Sequence, residues 1–299
     1  MARDIPQAFK LLLSRLAPTA PEDGARLRHA RTIKQGLVAQ FSSVNKVEVI
    51  GSHTRESAIH VHSDVDYLAV LSKADVTRGG SLVKSSTILQ RVRGALDGRF
   101  PRTTVRVDGP AVVVAFGRGK GAVDVVPAVW TGTVSQQSGY PKYAIPDARG
   151  GWLETSPQYH GKYIKTANER AGRKLAETMR LLKAWKFARQ PAIPCLGFHV
   201  ELLLASAGTC NGVRSYGGLL LDVFRLLRDR RGRGLNDPKR VSPRVDVVRS
   251  EAERKRLVTA AAYAADHAER AIRAEAEFKQ DEGFRQWDLV FNGIFPGRR

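Results

Sequence analysis

The chain has 299 residues, of which 42% are hydrophobic, and carries 49 Lys and Arg against 29 Asp and Glu for a formal charge of +20. That length and apolar content suffice for one large domain or two lobes with real cores, and no stretch approaches a membrane span. The two cysteines, Cys195 and Cys210, have no Cys-x-x-Cys partner, which argues against a zinc module or a disulfide framework and for a reducing cytoplasm. The excess of positive charge favours polyanionic partners: nucleotides, nucleic acid or an anionic surface.

Along the chain, Ile5, Phe9, Leu12, Leu13 and Leu16 recur at helical spacing, which predicts an amphipathic helix packed on the body rather than a signal peptide. "APTAPEDG" (17–24) separates it from a second helix, whose start Glu22 and Asp23 suit. "KVEVI" (46–50) reads as a strand delivering Gly51-Ser52, and "DYLAVL" (66–71) as another. A helix over 81–97 follows, with Leu82, Ile88, Leu89, Val92 and Leu96 on one side. "TTVRVDG" and "AVVVAFG" form a hairpin turning at Asp108-Gly109-Pro110, and "GAVDVVPAVW" (121–130) is a strand carrying Asp124. Beyond the Gly/Pro-rich stretch 138–158 the pattern becomes helical: 168–190, 197–208, 217–229 and 250–280. The expected class is α+β, a mixed sheet flanked by helices over 1–158 and a helical lobe over 159–299.

Asp64 and Asp66 stand two apart at a strand start, so their side chains share a face. Neighbouring carboxylates repel unless a cation lies between them, and Mg²⁺ suits a few carboxylate oxygens combined with substrate phosphates. Asp124, an acid in an apolar run, is the candidate third carboxylate of a two-metal site for in-line phosphoryl transfer. Gly51 allows close backbone approach to a phosphate, and the Ser52 hydroxyl adds a grip. Gly-Ser after one strand, Asp-x-Asp opening the next and an Asp on a third is a restrictive combination. His53, His60 and His62 crowd the intervening loop; Mg²⁺ avoids imidazole, so they read as surface histidines.

"GSHTRESAIHVHSDVDYLAVL", "VDVVPAV", "YAIPDARGGWLETSPQYHGKYIKTAN" and "RLLKAWK" together resemble the polymerase-β-like nucleotidyltransferases. The resemblance is to the bacterial cyclic-oligonucleotide synthases of antiphage defence, the CD-NTases with a SMODS-type domain, relatives of the animal cytosolic DNA sensor. It covers roughly residues 45–205. It implies a nucleotidyltransferase lobe and a helical lobe with the active site in the cleft between them, in a cytoplasmic, Mg²⁺-dependent enzyme using two ions, with Mn²⁺ as a substitute. Such an enzyme joins nucleoside triphosphates into a cyclic di- or trinucleotide, and the product activates an effector protein encoded elsewhere. On this resemblance Gly51 and Ser52 hold the donor triphosphate. Asp64 and Asp66 bind both ions, and Asp124 binds the catalytic ion and helps activate the attacking hydroxyl. Lys183 reaches the donor's β and γ phosphates, with Lys186 and Lys174 as weaker candidates for that charge. Asn168 lies near the base-reading groups of relatives and could read a base edge or cap a helix. Tyr143 and Trp152 could stack on a base or serve as packing. Relatives often carry Ser-Tyr-x-x-Glu where this chain has "GFHVE", so Gly197 replaces a phosphate-touching Ser. The alternatives are a template-independent transferase acting on RNA ends, and a nucleic-acid-binding sensor with little turnover. For the sensor, the Arg clusters at 25–34 and 225–234 would provide the basic contact surface.

Overall fold

The computed structural model describes residues 1–60, 64–116, 122–147 and 149–298, with the backbone alone for 20–27. His62 lies outside the described residues. The chain divides into two compact units: a sheet unit of residues 18–162 and 239–243, and a helical unit of residues 1–17, 163–238 and 244–299.

In chain order, α1 (Ile5–Leu16) is capped by Asp4, whose side chain accepts from the Gln7 N–H, and α2 (Ala20–Val38) begins with proline at its second residue. Strand β1 (Val44–Ile50) runs into a single 3₁₀ turn at Gly51–His53, and β2 is Val65–Leu71. A four-residue helix α3 (Lys73–Val76) and a minimal ribbon of β3 (Thr77–Arg78) and β4 (Ser81–Leu82) precede α4 (Ser85–Arg99). Leu82 therefore lies outside the helix expected over 81–97 and is exposed. Strands β5 (Val105–Asp108) and β6 (Ala111–Val114) form the expected hairpin, and β7 spans Val123–Thr133.

The Gly/Pro-rich stretch, read from sequence as a boundary, instead contains β8 (Pro141–Pro146) and β9 (Trp152–Thr155). Both prolines sit at the ends of β8, where a missing N–H costs the ladder least. Helix α5 (Pro157–Arg170) and α6 (Lys174–Phe187) replace the single helix expected over 168–190. The break falls at Gly172 and Arg173, both in the left-handed conformation at φ 55° and 69°. Then come α7 (Gly197–Ala207), α8 (Tyr216–Asp229), α9 (Glu251–Ala276) and α10 (Gln280–Phe291).

The sheet runs β1-β2-β7-β6-β5, with β8 on the far end of β7 and β9 beside β8. Only the β2–β7 pairing among the named strands is parallel. One face packs Tyr67, Ala69, Leu71, Val112, Val114 and Val125 against Ile33 and Leu37 of α2 and Ile88, Val92 and Leu96 of α4. The opposite face carries Leu68, Val70, Val126, Ala128 and Tyr143 in a smaller apolar cluster. Burial on both faces explains why β2 and β7 read as continuous apolar runs. In the helical unit, α1 joins the core made by α6–α10: the Phe9 ring lies 5.0 Å from Trp287 and 5.1 Å from Phe295. The first helix, grouped with the sheet lobe on sequence alone, thus packs in the helical unit.

Candidate active site

Register across the sheet builds the site. Ile50 pairs with Asp66, Asp66 with Asp124, Asp124 with Val113 and Val113 with Arg106, a single row over five strands. Paired residues share a face, so Asp66, Asp124 and Arg106 project from the side opposite α2 and α4. Asp64, two residues before Asp66, accepts from the Ala122 N–H at 3.3 Å and so ties the start of β2 to the start of β7.

Gly51 follows Ile50 directly and has φ 76°, a conformation that favours glycine. A Cβ there would overlap Asp66 Oδ2 and stand 2.7 Å from its Cγ. The missing side chain is the space the Asp66 carboxylate occupies. Ser52 lies within the 3₁₀ turn, which is held by the Thr54 hydroxyl donating to the Gly51 carbonyl at 2.9 Å and the Ser57 N–H to the Ser52 carbonyl at 3.0 Å. The loop beyond is not a surface loop throughout: Ser57, Ala58 and Ile59 are buried, and His53 and His60 are half-buried.

Charge is concentrated here. Burial, and then the Asp66 and Asp64 carboxylates, push the Asp124 carboxyl up to about 7, with Arg106 acting weakly the other way. The donors are hard oxygens, and a cation among them would relieve both their repulsion and the burial of Asp124, so the residues fit Mg²⁺. Among the described residues no three His, Cys, Asp or Glu side chains are already gathered tightly around a metal position.

The remaining candidates divide plainly. Lys183 is half-buried on α6 of the helical unit, its Cε 3.8 Å from the position of a Cβ on Gly197. That is ordinary contact, so the serine of relatives would fit at 197 beside this lysine. Lys186 donates to the Cys195 carbonyl at 2.8 Å, and Lys174 lies 3.5 Å from the centre of the Tyr216 ring and 3.8 Å from Glu177. Both are engaged within the fold. Asn168 is buried and its Oδ1 accepts from the Ala176 N–H at 2.9 Å, capping α6 from within the preceding helix. Tyr143 is buried beneath Lys46, and the Trp152 indole donates to the Val83 carbonyl at 2.7 Å, so both aromatics pack. Burial raises the Cys195 thiol to about 12, which leaves it inert. Sequence reasoning missed Arg106; its signal was the alternation in "VRVD", which sets Arg106 and Asp108 on one face of β5.

The Second Messenger Oligonucleotide or Dinucleotide Synthetase domain matches residues 4–168, more than half of the 299. The chain belongs to this family. The synthetase family places it among the nucleotidyltransferases. The Cyclic AMP-AMP-AMP synthase of Escherichia coli (strain MS 115-1) is 28% identical over 169 residues, 54% of this chain. The alignment spans 50% of that curated relative's length. The structure of E. coli MS115-1 CdnC with ATP superposes with a TM-score of 0.73 at 21% identity, covering 98% of this chain and 99% of the other. Vibrio cholerae DncV cyclic AMP-GMP synthase, in complex with a linear intermediate, gives 0.75 at 10% identity over 99% and 97%. At such identities the likeness establishes the synthetase fold, a helix-flanked mixed sheet followed by helices, which is the architecture expected from the sequence.

Proposed function

We propose that the protein is a Mg²⁺-dependent synthase that joins nucleoside triphosphates and closes them into a cyclic di- or trinucleotide, releasing pyrophosphate at each join. The observation that carries this reading is the row that sets Asp66 beside Asp124 on parallel strands with Gly51 fitted against the Asp66 carboxylate. The mechanism begins with the acceptor ribose hydroxyl. Its oxygen attacks the donor α-phosphorus, the bond from that phosphorus to the bridging oxygen breaks, and pyrophosphate leaves. Asp124, beside Asp66 in the row, takes the hydroxyl proton. Backbone N–H groups of the Gly51–His53 turn and the Ser52 hydroxyl hold the donor phosphates, and Lys183 is the helical unit's candidate for the departing ones. Bound by Asp64, Asp66 and Asp124, Mg²⁺ would supply charge neutralisation for the phosphates and acidify the attacking hydroxyl.

The first relative's product makes adenylates the first nucleotides to test, and a role in antiphage signalling through a product-activated effector follows from the same reading. No described helix is long and apolar enough to cross a membrane. Incubation with ATP, GTP, CTP and UTP plus Mg²⁺ should yield a phosphatase-resistant product whose mass gives base composition and ring size. Asp64→Asn with Asp66→Asn should reduce its formation by at least about a thousandfold. A product formed only by extending the end of added RNA would replace this reading with an RNA-end transferase.

A further inference from the structure

Arg106 has no role in the chemistry described so far, yet it ends the row that contains the acids. Counted across the sheet, Gly51 and its turn lie beyond Asp66 on the β1 side, whereas Arg106 lies beyond Asp124 on the β5 side. Val113, buried, stands between Asp124 and Arg106 on the same face. Two ladder spacings separate the Arg106 and Asp124 backbones, about 10 Å. Arg106 is more than half exposed, and its hydrogen bond is from Nη1 to Asp108 Oδ2 at 2.7 Å. Asp108 sits two residues along the same strand, so the ion pair stands on the same face of the sheet as the acids. The field of Asp124 and Asp64 also reaches the arginine, behind its stronger bond to Asp108.

We infer that Arg106 binds a 5′-phosphate of the acceptor nucleotide, on the flank of the carboxylates opposite the donor phosphates. This rests on the proposed nucleotidyl-transfer reading and assigns the acceptor side of that site. The geometry leaves few other arrangements. With donor phosphates held at the Gly51 turn, the acceptor hydroxyl must approach over Asp124, and the rest of the acceptor then extends toward β6 and β5. An acceptor that is itself a triphosphate, or the linear intermediate bearing one, brings several negative charges to a face already crowded with carboxylates. A planar guanidinium with several donors suits a phosphate better than a point charge would.

The test separates acceptor from donor. 2′,3′-Dideoxy-ATP can donate but has no hydroxyl with which to accept; α,β-methylene-ATP and adenosine can accept but cannot donate. In Arg106→Ala, the KM for α,β-methylene-ATP as acceptor should rise about tenfold or more, the loss expected for a charge-assisted hydrogen bond. The KM for the dideoxy donor and the joining of adenosine should stay as in the wild type. Arg106→Lys should recover part of the acceptor affinity, which guards against a folding defect in the alanine variant. Equal losses with both acceptors, a parallel rise in donor KM, or no change at all would overturn the assignment of Arg106 while leaving the transferase reading intact. Failure of the wild type to join any of the four nucleoside triphosphates would instead overturn that reading, and this inference with it.

Discussion

Asp124 shows how one buried carboxyl ties stability to chemistry. Its neighbours and its burial hold the proton up to about 7 in the absence of a cation, whereas in the unfolded chain the group would ionise near 3.8. Between those values the folded state binds the extra proton, so metal-free stability falls as pH rises through the window and the full penalty applies above it. Asp124→Asn removes the charge and the penalty together. In EDTA at pH 8 the variant should be more stable than the wild type by on the order of 4 kcal/mol, with the gap nearly closed at pH 4. Mg²⁺ should raise the wild type's unfolding midpoint more than the variant's, because the variant keeps only Asp64 and Asp66 as carboxylate ligands. Urea titrations at the two pH values, with and without Mg²⁺, measure both effects; a pH-independent difference would mean that Asp124 is not held in this field. This residue was legible in the sequence because an acid in "AVDVVPAV" has no comfortable unpaired interior position. Arg106 was not, because nothing local says that β5 and β7 share a row; that fact is set by the pairing of each with β6.

At the scale of elements, local signals decided what could be read. Strands β2 and β7 are apolar on both faces and declared themselves, whereas β8 hides between Pro141 and Pro146 and is recognisable only by its pairing with β7 and β9. The α5–α6 break is a comparable case: "ERAGRK" keeps helical composition, and a single Gly inside a helical run is weak evidence for a break. What fixes it is Asn168, whose side chain supplies the acceptor that the first turn of α6 lacks, since the Arg173 side chain does not cap the helix. Asn168→Ala should therefore lower stability by about 1 kcal/mol, the usual cost of a lost cap. It should leave the KM for every nucleoside triphosphate unchanged. A thermal melt beside initial rates on ATP and GTP checks this, and a base-selective change in KM with an unaltered melt would restore Asn168 to base recognition.

The placement of α1 is a property of the whole molecule that the chain order conceals. Its apolar spacing showed that it packs on something, and periodicity carries no information about which partner. The partner is the end of the chain: Phe9 contacts Tyr216, Trp287, Phe291 and Phe295, and Ala2 bridges to Arg298. Helix α10, beyond the helix expected over 250–280, provides Trp287 and Phe291 of that aromatic surface after a left-handed turn at Phe278. Closing first and last helices together makes the helical unit's core depend on residues almost 280 positions apart, and the sheet unit has its own core without them. Phe9→Ala removes a fully buried ring whose neighbours are themselves large and aromatic, and such a site collapses poorly. The expected cost is about 3–5 kcal/mol. Because the two cores are separate, the loss should fall on the helical unit: amides of α8–α10 should exchange faster by several orders of magnitude, while those of β2 and β7 keep their protection. Hydrogen exchange resolved by mass spectrometry on the full chain reads both at once. Uniform loss of protection would instead mean that the two units unfold as one, and that the core at the chain ends governs the carboxylate row as well.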